Sequence, residues 1–185
     1  MPDNRVHRIV VTGAPASAKT EFVERLKGES PLDGFLFFEE LARIILSENP
    51  EIRRNKAALH REIYTRQVAR EDAAGEKSFV TDRGTVDAFA FHPESMGQVG
   101  TTLEKEYRRY TSVIQLGSAA SLGEVYYIRD DIRNESAAEA LEIEAAIRRV
   151  WGSHPNYAFV AAQPDLAEKY ALFRHLVLRQ VAEPY

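Results

Sequence analysis

The chain has 185 residues, of which 44% are hydrophobic, so it can bury a substantial core and is predicted to form a single domain over residues 1–185. Its 24 basic and 28 acidic residues give a net charge of −4, which argues against non-specific binding to nucleic acid or anionic membranes, and the absence of cysteine excludes disulfides and thiolate metal sites. With neither a signal peptide nor a run of about 20 apolar residues, we expect a cytoplasmic protein without a membrane span or a nucleic-acid partner.

The first predicted strand runs into a loop whose sequence fits a phosphate-binding pattern. Residues 9–11 form a short β-branched run, and the following GAPASAKT matches G-x-x-x-x-G-K-[ST] at every fixed position except Ala18. A helical stretch begins directly after the loop, so backbone N–H groups and a helix N-terminus would converge on one anion. The alternative is a chance match in an ordinary turn, which the flanking strand and helix disfavour. The predicted nucleotide-binding residues are Gly13, Ala14, Pro15, Ala16, Ser17, Ala18, Lys19 and Thr20.

Three positions of this loop define the chemistry that we expect from it. Lys19 would neutralise the β- and γ-phosphates of a nucleotide, and the Thr20 hydroxyl would bind the Mg²⁺ ion that bridges them. The Cβ of Ala18 adds bulk where the backbone passes closest to a phosphate, so it is expected to weaken nucleotide binding or to reshape the loop. The expected cofactors are therefore ATP, or else GTP, together with Mg²⁺.

The second predicted strand ends in two carboxylates. Residues 35–38 read FLFF, a continuous apolar run that is typical of a strand buried on both faces of a parallel sheet. Glu39 and Glu40 follow, at the edge where open α/β sheets bind their ligands. From there Glu40 could accept a proton from an acceptor hydroxyl, or hold that hydroxyl in line with the γ-phosphorus. The alternative is a charge that only complements the dipole of the next helix.

A long amphipathic helix is predicted over residues 57–73. Its apolar positions Leu59, Ile63 and Val68 are expected on the buried side of the helix. Arg70 belongs to the charged positions, which we interpret as a solvated face.

The third predicted strand, residues 78–81, ends at Asp82 and is followed at once by Arg83. An aspartate at a strand end beside a phosphate loop is typical of a Walker B strand, in which it holds Mg²⁺ together with the hydroxyl of the loop. We therefore predict that Asp82 and Thr20 form one metal site. By itself Asp82 could equally be a turn residue, but its spacing from the phosphate loop suits a β-α-β arrangement and favours the metal site.

The rest of the chain continues an alternation of strands and helices. We predict short helices over residues 86–91 and 101–110, strands over 112–117 and 157–160, and a final structural helix capped by Asp165. Five strands that alternate with helices predict an α/β fold with a doubly wound, mainly parallel sheet.

Residues 118–136 form a long polar connection and are a candidate lid. Arg129 and Arg133 lie in this segment and are predicted to close on the donor phosphates when both substrates are bound. The alternative is that both are solvated arginines of a flexible loop.

Three motifs in this order resemble the AAA-type P-loop ATPase/kinase family, which includes bacterial nicotinamide riboside kinase domains: GAPASAKT, EELAR and TDRGTVDAFAF. The segment YIRDDIRNE is similar to the arginine-bearing lid of that family. The resemblance implies a P-loop NTPase fold with a five-stranded sheet of order 2-3-1-4-5, helices on both faces and a small lid. It also places the nucleotide phosphates on residues 13–20, Mg²⁺ on Thr20 and Asp82, and the acceptor near Glu40, Arg43 and Arg83.

Two functional hypotheses follow. The first is a kinase that transfers the γ-phosphoryl group of ATP to a small nucleoside- or nucleotide-like acceptor, so that its partners are a nucleotide and a small molecule. Its catalytic residues would be Lys19, Glu40, Arg83, Arg129 and Arg133. The alternative, which Ala18 favours, is a regulatory ATPase or GTPase-like module that binds a nucleotide without a small-molecule acceptor and signals by lid closure. A Ras-type GTPase is not expected because no NKxD tetrapeptide is present.

Overall fold

A computed structural model describes residues 5–127 and 135–182, which fold around a five-stranded sheet. The strands are β1 (Arg8–Gly13), β2 (Leu36–Phe38), β3 (Phe79–Asp82), β4 (Ser112–Leu116) and β5 (Tyr157–Val160). They lie in the order β2-β3-β1-β4-β5, and every neighbouring pair is parallel. The predicted sheet order 2-3-1-4-5 is therefore confirmed, and the sheet is parallel throughout.

Eight α-helices connect and flank these strands in the described parts of the chain. They are α1 (Lys19–Leu26), α2 (Leu41–Glu48), α3 (Lys56–Ala73), α4 (Asp87–Phe91), α5 (Ser95–Val99), α6 (Leu103–Tyr107), α7 (Ala137–Trp151) and α8 (Leu166–Ala182). Short 3₁₀ turns occupy Ser30–Leu32, Pro50–Arg54 and Ala119–Leu122. Within residues 5–127 and 135–182, no helix is long and apolar enough to cross a membrane.

The central strand β1 has helices on both of its faces because its side chains alternate between two apolar clusters. Ile9 and Val11 pack in one cluster with residues of α1 and α8. Val10 packs in the other with residues of α4 and α7. All three side chains are fully buried, as expected for the middle strand of a parallel sheet covered on both faces.

Strand β2 has the predicted position in the sheet but differs from its prediction in burial. It lies at the edge of the sheet and pairs only with β3, so the side chains of Leu36–Phe38 are half-buried rather than fully buried. Packing on both faces of the strand explains why the run is apolar throughout. Phe37 packs against one core cluster, while Leu36 and Phe38 pack against the other.

Helix α3 buries a different face from the one predicted. Its buried residues are Gln67 and Glu71, whereas Leu59 and Ile63 are only half-buried. Arg70 is half-buried rather than fully solvated: it donates a hydrogen bond to the Glu39 carbonyl at 2.6 Å, and its guanidinium lies 5.1 Å above the centre of the Phe38 ring. The buried face of α3 is formed by a polar network rather than by the expected apolar stripe. The spacing of the apolar residues therefore predicted the wrong buried face.

Helix α8 begins as predicted, since the Asp165 carboxylate accepts hydrogen bonds from the backbone N–H groups of Ala167 and Glu168. Its apolar stripe includes Phe173, which is fully buried in the cluster beside β1. The same helix also buries Lys169, which the apolar stripe did not predict.

Candidate functional site

The predicted phosphate-binding loop follows β1 and turns sharply into α1. Gly13 is required at the start of the turn, because a Cβ there would lie 2.5 Å from Ser17 Oγ and 2.8 Å from the Leu116 carbonyl oxygen. Two non-glycine residues of the loop have left-handed backbone conformations, Ala16 with φ 62° and Ala18 with φ 65°. Ala18 is also the N-cap of α1, so the loop ends at a helix N-terminus as a phosphate site requires.

The left-handed conformation of Ala18 permits a stability prediction for Ala18→Gly. A left-handed alanine costs roughly 1–2 kcal/mol, and this exceeds the entropy that glycine adds to the unfolded chain. We expect Ala18→Gly to raise the free energy of unfolding by about 0.5–1 kcal/mol in urea titrations and to preserve or improve ATP affinity.

Ala145→Gly, in an exposed position of α7, is the matched control and should lower the free energy of unfolding by about 1 kcal/mol. A marked loss of ATP affinity in Ala18→Gly would mean that the alanine suits a different ligand geometry.

Lys19, Thr20 and Asp82 meet at the carboxyl ends of β1 and β3. The parallel register of the two strands pairs Val11 with Asp82, which brings the aspartate beside the loop. The Lys19 ammonium forms a buried ion pair with Asp82 Oδ1, and the Thr20 hydroxyl donates a hydrogen bond to Asp82 Oδ2 at 3.0 Å. The structure thus brings together the residues predicted for the nucleotide phosphates and for the metal.

The Thr20 hydroxyl and the Asp82 carboxylate suit Mg²⁺, because this ion prefers oxygen ligands and takes its others from phosphates and water. Among residues 5–127 and 135–182, no group of three or more His, Asp or Glu side chains could hold a metal by itself. The pair therefore fits a metal that arrives with a nucleotide better than a metal held by protein groups alone.

Glu40 faces the same cluster from the start of α2. One carboxylate oxygen accepts a hydrogen bond from Arg83 Nε at 3.0 Å, and the other lies 3.5 Å from Lys19 Nζ. Burial acts to raise the pKa of Glu40, but the charges of Lys19 and Arg83 outweigh it and lower the pKa to about 2. Glu40 is therefore a carboxylate at neutral pH.

Arg83 holds an unusual backbone conformation beside this carboxylate, with φ 71°. Its carbonyl accepts hydrogen bonds from Thr81 Oγ1 at 2.7 Å and from Gln67 Nε2 at 3.2 Å, which fix the left-handed turn. Burial acts to lower the pKa of Arg83, but the acidic neighbours Glu40, Asp87 and Asp82 raise it above its usual value. Arg83 stays charged and is aimed at Glu40.

Two residues that support the site were not predicted from the sequence as site residues. Gln67 comes from α3 and bonds the turn at Arg83. Asp87 is buried and accepts hydrogen bonds from the Thr12 hydroxyl, from the Gly84 N–H at 2.8 Å and from Trp151 Nε1 at 3.2 Å. The close spacing of acidic residues in TDRGTVD was the only sequence signal for Asp87, and nothing in the sequence indicated that Gln67 would be buried.

A cavity of about 540 Å³ joins the phosphate loop to Glu40 and Arg83. Its far wall contains Ile63, His60 and Phe91, and the His60 ring stacks on Phe91 with 6.0 Å between ring centres. Burial lowers the pKa of His60 to about 4, with the neighbouring His92 and then Lys56 contributing, so the imidazole is neutral at pH 7. This wall offers flat, largely uncharged surface to a bound molecule.

The predicted lid residues Arg129 and Arg133 lie outside the described residues. Described residues on both sides of positions 128–134 reach the site. Ser118 Oγ donates a hydrogen bond to the Pro15 carbonyl at 2.6 Å, and Glu135 and Ile143 line the cavity. Arg43, predicted near the acceptor, also lines the cavity.

The loop, the strand-end aspartate and the sheet order together define a P-loop NTPase fold. The chain belongs to the AAA domain family, whose model matches residues 8–169. A search of curated protein sequences found no match.

Solved structures similar in fold include those of deoxyadenosine kinase from M. mycoides. The structure with bound dATP gives a TM-score of 0.64 at 12% identity and covers 92% of this chain and 98% of that chain. The same enzyme with bound dCTP gives 0.56, and with the products dCMP and a flexible dCDP it gives 0.54, at the same identity and coverage. At this identity the likeness is one of fold.

Proposed function

We propose that this protein is a kinase that transfers the γ-phosphoryl group of ATP to a nucleoside-like acceptor. The observation that carries the proposal is the placement of Glu40: it lies 3.5 Å from the lysine of the phosphate loop and 3.0 Å from Arg83, in the cavity that the loop lines. An ionised carboxylate in this position could orient the hydroxyl of an acceptor bound in the same cavity.

On the donor side, backbone N–H groups of residues 13–20 would bind the phosphates, with Lys19 neutralising their charge. Mg²⁺, bound by Thr20 and Asp82, would supply further neutralisation of the developing charge. The carboxylates of Glu40 and Asp82 flank the Lys19 ammonium and hold it beside the loop. GTP is a second candidate donor, because the residues that would select the base are not identified.

On the acceptor side, Glu40 would accept a hydrogen bond from the hydroxyl that attacks and would orient it toward the γ-phosphorus. A pKa of about 2 makes Glu40 a weak base at neutral pH, so the structure favours its orienting role over its role as general base. Arg83 holds the carboxylate in place, and Arg43 lies nearby for a charged acceptor. The wall with His60 and Phe91 suits a planar base.

We propose that residues 118–136 form a lid and that Arg129 and Arg133 close on the donor phosphates. Replacing both arginines with alanine should lower turnover far more than ATP affinity. Unchanged turnover would mean that Arg129 and Arg133 are solvated arginines without a role in phosphoryl transfer.

The regulatory module is the second candidate, and the observation that favours it is the left-handed alanine at position 18, where the loop pattern has glycine. Both candidates bind nucleotide, so only acceptor-dependent turnover separates them. We expect a screen of ATP–Mg²⁺ and GTP–Mg²⁺ against deoxyadenosine, other nucleosides and nicotinamide riboside to show release of nucleoside diphosphate with at least one acceptor. Binding of ATP without acceptor-dependent turnover across this panel would instead identify the regulatory module.

A further inference from the structure

Lys169 is a buried lysine of α8 that contacts the phosphate loop. Its side chain is 2% exposed, and its ammonium donates hydrogen bonds to the Ser17 carbonyl at 2.8 Å and to the Gly117 carbonyl at 2.6 Å. Lysine is almost never fully buried unless it is paired. Among the described residues no carboxylate lies within ion-pair distance of this ammonium, so its position is set by two backbone carbonyls.

The protonation of Lys169 supports this arrangement. Burial lowers its pKa to about 8, while the charge of Glu144 acts to raise it. The amine therefore remains an ammonium at neutral pH and keeps its hydrogen-bond donors. Removing it would leave two buried carbonyl oxygens without this partner.

The Ser17 carbonyl belongs to the peptide that enters Ala18. Ser17 itself lies between two left-handed residues, Ala16 and Ala18, and alanine does not favour that conformation. A peptide unit is planar and trans, so its carbonyl and its N–H point in opposite directions. With the carbonyl bonded to Lys169, the Ala18 N–H points away from α8, and it has no hydrogen-bond partner within the part of the chain that the structure describes.

The second carbonyl ties the loop to the end of β4. Gly117 directly follows β4, and a Cβ there would lie 2.8 Å from the Ala162 backbone nitrogen, so this stretch is closely packed. The ammonium thus connects the phosphate loop to the end of β4, and the Gly117 N–H in turn donates a hydrogen bond to the Val160 carbonyl of β5 at 2.7 Å. The sequence separation between Lys169 and Ser17 is 152 residues.

We propose that Lys169 is a positioning residue that holds the Ser17–Ala18 peptide so that the Ala18 N–H donates to a bound nucleotide phosphate. In a loop without glycine at position 18, this tether supplies the left-handed turn that glycine would otherwise adopt freely. The inference rests on the proposed nucleotide site and adds a residue from the far end of the chain to it.

The first test compares Lys169→Met with Phe173→Leu, which alters the same buried face of α8 one turn later without touching the loop carbonyls. Calorimetric titration with ATP–Mg²⁺ should show a Kd raised by about tenfold or more in Lys169→Met, and a change below about twofold in Phe173→Leu. Parent-like affinity in Lys169→Met overturns the inference and leaves the proposed function standing. Absence of ATP binding by the parent contradicts both.

The second test uses the parent protein, so it does not require that a variant at position 169 folds. In the parent labelled with ¹⁵N-alanine, the Ala18 amide proton, assigned by its loss in Ala18→Gly, should shift strongly downfield on addition of ATP–Mg²⁺, as expected for a new hydrogen bond to phosphate. An unmoved Ala18 resonance at saturating ATP–Mg²⁺ overturns the inference. Where Lys169→Met folds, the same shift should be lost or greatly reduced in it, a result that lower stability alone would not produce.

Discussion

Replacing Lys19 with alanine is expected to raise the Kd for ATP–Mg²⁺ by about 100-fold or more, because charge-assisted hydrogen bonds to phosphate contribute roughly 1.5–3 kcal/mol each. Lys19 is only 6% exposed at the start of α1, and its ammonium lies where a phosphate on the loop would meet it. Calorimetry would measure the loss. The variant should remain folded but lose some stability, because Asp82 and Glu40 then face each other without the cation between them.

Lys27→Ala is the control for this prediction. Lys27 follows the same helix, and its ammonium pairs with Glu24 at 2.6 Å on the surface. Removing it should leave ATP affinity unchanged and stability altered by less than about 0.5 kcal/mol. If Lys19→Ala bound ATP as tightly as Lys27→Ala, the assignment of residues 13–20 as a phosphate loop would be wrong.

Replacing Glu40 with glutamine is expected to slow phosphoryl transfer by about 100-fold or more while ATP affinity stays within a few-fold of the parent. The amide keeps the size of the side chain but loses the charge that pairs with Arg83 and that holds an acceptor hydroxyl. Steady-state kinetics with the acceptor found in the nucleoside screen would separate turnover from ATP affinity.

Glu39→Gln provides the comparison, because Glu39 is exposed and contributes its backbone carbonyl, not its side chain, to the bond from Arg70. It should have near-parental turnover. If Glu40→Gln also turned over normally, Glu40 would be only a charge at a helix N-terminus, and the orienting group would have to be sought at Asp82 or Asp87.

The pH profile distinguishes the two roles proposed for Glu40. Because the pKa of Glu40 is lowered to about 2, its carboxylate is present at every pH above that value. We expect kcat/KM to show no acid limb from this residue between pH 5 and 7. An acid limb near pH 6 that disappears in Glu40→Gln would show a proton acceptor whose pKa is raised in the working enzyme, and the role of general base would then replace that of orientation.

The sequence by itself determined the parts of this protein that depend on neighbours in the chain. The phosphate loop from Gly13 to Thr20, the strand ending at Asp82 and the carboxylate Glu40 after β2 were all identified from local patterns, because turn chemistry and strand ends are local properties. Five strands alternating with helices were enough for the fold class. The parallel register pairs Val11 with Asp82, and the Thr20 hydroxyl lies 3.0 Å from Asp82 Oδ2.

The tertiary structure alone decided which buried faces are polar and how the loop is held. Apolar periodicity assigned α3 the wrong face because Gln67 and Glu71 are buried by pairing with partners from other elements. The side chains of β2 are only half-buried because the strand pairs on one side alone, which its continuous apolar run did not indicate. Lys169 and Ser17 are 152 residues apart in the sequence, so no local pattern could have indicated that they are in contact. The contact of Lys169 with the loop is therefore a property of the fold, whereas the loop itself was recognisable in the sequence.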